Sequence, residues 1–206
     1  MYTPSQFEVR DRAWVLETIA RYPFGLLITT GEEYPRVSHI PMIARERRGE
    51  LWVLGHVARA NPHARAIVAG DPATLVFQGP HAYVSASWYE EPYATVPTWN
   101  YTAAHVCGML RECDASQMVE LLSLEMEGPD PAWDPRRLDP GYLASQLRAI
   151  VAFDLRAEEV YAKAKLSQNR TLADRLRVTQ KLLASADQNE RETGEAMSRL
   201  LDELDV

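Results

Sequence analysis

The chain has 206 residues, of which 46% are hydrophobic, and a formal charge of −7. That is enough apolar material for one full core, and a single domain is the expectation at this length, since domains run to roughly 100–200 residues. An acidic chain is a poor starting point for a duplex-DNA binder, which depends on phosphate neutralisation.

The basic residues cluster only at Arg45, Arg47 and Arg48, just before Gly49, which reads as a solvated hairpin turn. Cys107 and Cys113 are the two cysteines. On one strand they would lie about 20 Å apart, whereas a disulfide needs Cα atoms within about 7 Å. Free thiols, a reducing compartment and a cytoplasmic protein are therefore expected. MYTPSQFEVRDR at the start has neither a basic nor an apolar signal-peptide region. No apolar run approaches the ~18 residues of a membrane span.

In chain order, Asp11–Tyr22 predicts a short helix with Asp11 as N-cap, ended by Pro23. Phe24–Thr30 reads as a buried strand and Gly31–Pro35 as a turn. Arg36–Arg45 alternates as a strand, with Pro41 suggesting an edge or a bulge. Glu50–Val57 is a strand, Asn61–Ala69 a short helix, and Thr74–Gln78 a short β run. Gly79-Pro80 is a turn signal, and Ala82–Tyr89 alternates as a half-buried strand. Glu90–Tyr101 reads as irregular, Ala103–Cys113 as a strand, and Ser116–Met126 as a helix. Pro129–Pro140 is a proline-rich loop, Tyr142–Arg148 a helical turn or two, and Ala149–Leu155 the last strand. From Thr171 onward the chain is helical, and the acidic part from Asp187 reads as a surface or dimer-contacting helix. Six or seven strands interleaved with a few short helices argue against a doubly wound sheet and for a closed antiparallel barrel with flanking helices. The expected organisation is one domain over 1–206, with a helical segment 171–206.

Three stretches could carry chemistry. The first is Gly55–Arg65, GHVARANPHAR. A strand ends near Val57, Asn61 can cap the next helix, and Pro62 suits its first position. Free N–H groups at a helix start favour an anion, and His56, Arg59, His63 and Arg65 surround them. Arginine's planar fork matches phosphate oxygens. A solvated, well-capped helix is the alternative. In the second stretch, FQGPHAYVSASWY, the residues His81, Tyr83, Ser85, Ser87 and Tyr89 would share one strand face. That face could line a cleft or a dimer seam, or lie exposed. The third, VPTWNYTAAH, sets Trp99, Asn100 and Tyr101 on a Pro-bounded loop. The trio could cover a planar ring, or simply anchor its own loop.

Other constellations are weak. Neither dinucleotide nor P-loop glycine motif occurs, no cysteine pair has zinc-ligand spacing, and no metal site is expected. His105 and Cys107 would share a strand face, but a structural cysteine is the simpler reading. There is no helix-turn-helix with a basic recognition helix, and Arg170, Arg175 and Arg177 look solvated.

MYTPSQF, PFGLLIT, HIPM at 39–42, GHVARANPHAR, FQGPHAYVS with SWY, VPTWNY followed by HV-x-G, and KLSQNR at 165–170 together resemble the PaiB family. Its members are described as FMN-binding negative transcriptional regulators. The likeness runs from Met1 to about Arg170, and looser beyond. Ala86 stands where the family has Pro, and Ala104 and Asp154 replace commoner Val and Glu.

The resemblance implies a mainly β fold: a six- to seven-stranded antiparallel split β-barrel of the FMN-binding type. It also implies a homodimer with two flavins at the subunit interface. His56, Arg59, Asn61, His63 and Arg65 become cofactor-side candidates, the last four for the phosphate. Ser85, Ser87 and Trp88 become cleft-wall candidates. Trp99, Asn100 and Tyr101 become ring contacts from the other subunit. No catalytic residue is assigned. Regulation without direct DNA contact is the leading function. The alternatives are a flavin-dependent oxidoreductase on a small molecule, a haem-binding or haem-degrading split barrel with His56, His81 or His105 as axial ligands, and a barrel with an empty site.

Overall fold

In a computed structural model, which describes residues 1–115 and 137–202, two compact units emerge. One contains Ile19–Phe77 and His105–Val160; the other contains Met1–Thr18, Gln78–Ala104 and Tyr161–Val206.

The first unit is built on strands β2 (Phe24–Thr29), β3 (Arg36–Arg47), β4 (Glu50–Ala58), the 72–77 part of β5 (Pro72–Val84), the 105–113 part of β6 (Thr98–Cys113), and β7 (Ile150–Arg156). Their hydrogen-bonded order is β6-β5-β2-β3-β4-β7, and β7 pairs back onto β6, so the ring closes. Each strand alternates its side chains in and out. Leu27, Met42, Val53, Leu75, Phe77, Val106, Leu110, Phe153 and Leu155 are all buried. Two helices flank these strands, α2 (His63–Ala69) and α3 (Pro140–Arg148).

Two local devices make the closure possible. β3 pairs with β2 through residues 36–41 and then with β4 through 42–47. Pro41, which has no N–H, ends the first of these runs, and Met42 N donates to the Pro23 carbonyl at 2.9 Å. The proline thus marks a change of partner within one strand. The β3–β4 turn is the pair Arg48-Gly49, with φ of 53° and 79°. Positive φ at both positions is the geometry that suits the right-handed twist of a two-residue hairpin.

The second unit holds β1 (Glu8–Val9), β8 (Glu159–Lys165, from Tyr161), the remaining parts of β6 and β5, α4 (Leu172–Leu183) and α5 (Gln188–Asp202). The strand order there is β1-β8-β6-β5. Val84, Tyr89, Leu166, Val178, Leu182 and Met197 form its core, with Trp14 and Trp88 packed against it. The remaining helix, α1 (Arg12–Arg21), begins after Asp11, whose carboxylate accepts from Ala13 N at 2.9 Å.

The fold is the mainly β, antiparallel one expected, with eight strands among the described residues rather than six or seven. β8 was missed because EVYAKAK carries two lysines and little apolar alternation. Gly79 and Pro80 are both buried inside β5, so the expected turn is absent and the two β runs are one strand. β5 ends at Val84, so Ser85, Ser87 and Tyr89 lie beyond the strand whose face they were expected to share. β6 begins at Thr98, so Trp99–Tyr101 belong to a strand, not a loop. The acidic segment from Asp187 is not only a surface helix, because Thr193, Gly194, Met197 and Leu201 of α5 are buried. Arg175 is buried as well, and Arg170 lies 4.6 Å over the Tyr89 ring, so neither is simply solvated. The expected helix at Ser116–Met126, and the loop from Pro129 as far as residue 136, lie outside the described residues. Both cysteines are free. Burial, helped by the Asp154 carboxylate, pushes the Cys113 thiol up to about 11, so it stays protonated at neutral pH.

Gly25 is fixed by close approach: a Cβ there would lie 2.6 Å from the Val76 carbonyl oxygen. Backbone cannot yield as a flexible side chain can. Gly25→Ala should therefore destabilise the protein by on the order of 1–3 kcal/mol in urea unfolding. An unchanged midpoint would contradict this packing.

Candidate cofactor site

The corner between β4 and α2 is organised by one amide. Asn61 Oδ1 accepts from His63 N at 2.9 Å, which caps the helix start. Its Nδ2 donates to Ser38 Oγ on β3 at 3.1 Å, and Ser38 Oγ lies 2.8 Å from His63 Nδ1. Burial holds His63 below its ordinary pKa, and the nearby Arg36 guanidinium acts in the same direction while the Arg36 carbonyl opposes it. His63 is thus a neutral, buried strut.

The remaining donors of the helix start are also used. Ala64 N bonds to Asn61 O at 2.9 Å and Arg65 N to Pro62 O at 3.3 Å. Side chains, not free backbone N–H groups, are what the corner offers an anion. Arg59 is partly committed: its Nε and Nη2 donate to the carbonyls of Arg148 and Ile150, each at 2.8 Å. This ties the corner to the end of α3 and the start of β7 and, among the described residues, leaves Nη1 available.

A cavity of about 490 Å³ opens beside the corner, lined by Arg36, Arg59, Asn61, Pro62, Arg65 and Asp71 with three alanines. Three guanidinium groups face one carboxylate, so the lining favours an anion. Arg36 was not foreseen. Its only local signal is its place at the head of RVSHIP; it is paired with Thr29 of β2 and reaches the corner through the tertiary fold. Ser38 was missed for the same reason. His56 is half-buried on β4 with Nδ1 unpartnered, and burial lowers its pKa. It does not line this cavity, and neither does His63.

The remaining candidates belong to the second unit. Ser85 Oγ and Ser87 Oγ are 2.8 Å apart, and Ser85 caps the short 3-10 turn at 86–88. Trp88 packs against the unit's core. Trp99 is 54% exposed, with Tyr83 edge-on at 6.0 Å and His81 tilted at 6.2 Å. Tyr101 follows two residues on, half-buried. Strand alternation sends Asn100 to the opposite side: it is fully buried and donates to Ser167 Oγ at 2.9 Å and Met197 Sδ at 3.3 Å. Asn100 is therefore a core residue of this unit rather than a companion of Trp99 and Tyr101. Among the described residues no group of three His, Cys, Asp or Glu side chains could hold a metal ion.

Comparison with known proteins agrees with this architecture. Residues 1–159 match the family model described as "Putative FMN-binding domain". The chain is 32% identical over 203 residues to the protease synthase and sporulation protein PAI 2 of Bacillus subtilis, covering 96% of both chains. Among solved structures, the FAD and heme binding protein of Mycobacterium smegmatis has the same fold, with a TM-score of 0.60 at 15% identity, covering 82% of this chain and 78% of that one. The flavocytochrome Anf3 of Azotobacter vinelandii also shares the fold, with a TM-score of 0.53 at 19% identity, covering 82% and 75%. The fold, the arginine-lined corner and these matches together mean that the chain belongs to the PaiB family of FMN-binding split-barrel proteins.

Proposed function

We propose that the β4–α2 corner holds the phosphate of FMN, and that the protein works as a flavin-dependent regulator whose effect on transcription is indirect. The observation that carries the phosphate assignment is the convergence of Arg36, Arg59 and Arg65 on one cavity. Arg65 and the free Nη1 of Arg59 would bind the phosphate oxygens. Arg36, whose Nη1 already donates to the Thr30 carbonyl at 3.1 Å, would add its charge and remaining donors. The Asn61–Ser38–His63 network would hold these groups in register without titrating near neutral pH. Bound FMN would supply reversible electron transfer.

The indirect mode is supported by the state of the other arginines. Arg111 grips Asp154 with two hydrogen bonds of 2.8 Å, and Arg47 lies 3.9 Å from the same carboxylate. Both stack over Trp52. The two share one carboxylate and one indole face, so part of their charge is balanced in place and they do not form a continuous rail for a DNA backbone.

The dimer reading rests on the outer face of β2 and β3. Phe24 and Val37 are 67% and 50% exposed, and Phe24 stacks on His39 at 6.2 Å. An apolar sheet face of this kind calls for a covering partner, and a second copy of the chain fits the family's habit.

Two outcomes check these assignments. Arg65→Ala should weaken FMN about tenfold, since one charge-assisted contact to an exposed guanidinium is lost. Riboflavin, which lacks the phosphate, should be nearly unaffected; equal losses for both ligands would reject the phosphate role. In sedimentation equilibrium the wild type should be a dimer and Phe24→Glu a monomer. A wild type that sediments as a monomer would contradict the dimer.

A further inference from the structure

Asp71 sits just past the C-terminal end of α2, where an acidic side chain is locally disfavoured. Gly70, with φ of 74° and ψ of 34°, closes the helix, and Asp71 N donates to the Ala66 carbonyl at 3.0 Å. The Asp71 carbonyl in turn accepts from Leu110 N of β6 at 3.0 Å. Its backbone is pinned on both sides, and its half-buried carboxylate is held beside the negative end of the helix dipole. Among the described residues it meets no cationic side chain within ion-pair distance, although it lines the same cavity as Arg36, Arg59 and Arg65. Those arginines are turned elsewhere: Arg36 Nη1 donates to the Thr30 carbonyl, and Arg59 donates to the carbonyls of Arg148 and Ile150.

The cavity runs the length of the helix. Pro62, Arg65, Ala66 and Ala69 recur at intervals of three and four, share one face of α2, and line it. Seven helical residues span about 10 Å. Arginine therefore marks one end of the cavity and Asp71 the other, while Ala66 and Ala69 leave the space between them open. A cavity of about 490 Å³ is of the size that takes a small-molecule ligand rather than a phosphate alone.

We propose that Asp71 makes the corner selective for a phosphate ester whose chain carries hydroxyl groups. The phosphate lies at the arginines, and a chain hydroxyl donates to the Asp71 carboxylate at the far end of α2. This rests on the phosphate reading above. An ionised carboxylate accepts hydroxyl donors and repels a second anion. It therefore rewards a polyol chain and also sets which way round the ligand lies. Two sources share this chemistry: the ribityl phosphate of a flavin, and a free sugar phosphate.

The test is calorimetric titration of the full chain, freed of flavin, with three probes: ribitol 5-phosphate, pentyl phosphate, which has the chain without hydroxyls, and inorganic phosphate. Ribitol 5-phosphate should bind about tenfold tighter than pentyl phosphate. Asp71→Asn should move two of the probes in opposite directions. It should weaken ribitol 5-phosphate about tenfold, because a charge-assisted hydrogen bond is lost. It should tighten inorganic phosphate about threefold at low salt, because a like charge is removed. Ala69 is exposed, so Ala69→Leu supplies a second, fold-neutral variant that fills the space between the two ends. It should weaken ribitol 5-phosphate about tenfold and leave inorganic phosphate unchanged. Pentyl phosphate binding as tightly as ribitol 5-phosphate, or Asp71→Asn shifting ribitol 5-phosphate and inorganic phosphate by the same factor, overturns the proposal. Inorganic phosphate that binds wild type and Arg65→Ala alike overturns the phosphate reading, and the proposal with it. Phosphate binding that depends on Arg65 without any polyol preference overturns the proposal alone. FMN then assigns the source. FMN binding far more tightly than ribitol 5-phosphate, with the same tenfold loss in Asp71→Asn, identifies a flavin chain. Equal affinity for FMN and ribitol 5-phosphate identifies a free sugar phosphate.

Discussion

Asn61 occupies a position where three parts of the chain must agree. Its carbonyl oxygen ends the orphaned N–H of His63, and its amide nitrogen reaches Ser38 on a strand more than twenty residues earlier. Through Ser38 the constraint returns to His63 Nδ1. A local helix-capping choice is thereby locked to the register of β3. The same strand carries Arg36, and the same helix carries Arg65, so the cationic lining of the cavity is a consequence of this triangle. Arg59 completes the frame by gripping the carbonyls of Arg148 and Ile150, which sets the corner against β7. A neutral, buried His63 suits such a role, since a charged imidazole would repel the arginines around it.

How much of this was legible in the sequence depends on the range of the interaction responsible. The strand-to-helix corner was visible because Asn-Pro capping and the strand before it are local. Arg36 and Ser38 were not, since they join the site only through tertiary contacts of β3 with a corner more than twenty residues later. Arg59 was expected to face the ligand, yet two of its donor groups serve carbonyls some ninety residues away, a demand no local pattern announces. Asn100 was grouped with Trp99 and Tyr101 as a loop cluster. Once the segment is a strand, the two-residue alternation must separate them. Gly79-Pro80 is a sound turn signal that burial overrode. β8 escaped notice because its lysines mask a strand.

In the first unit the arginines at 47 and 111 share the Asp154 carboxylate and lie over Trp52, whereas Arg36, Arg59 and Arg65 gather at the corner cavity. The family model ends at residue 159, whereas the Bacillus subtilis relative aligns over nearly the whole chain.

The central claim is that this chain holds FMN. The direct measurement is the visible spectrum of the full chain mixed with FMN and then desalted. A flavin double band that persists at about one FMN per chain is the result the account predicts. Loss of the flavin on desalting, or a Soret band with haemin where FMN leaves no trace, would contradict it.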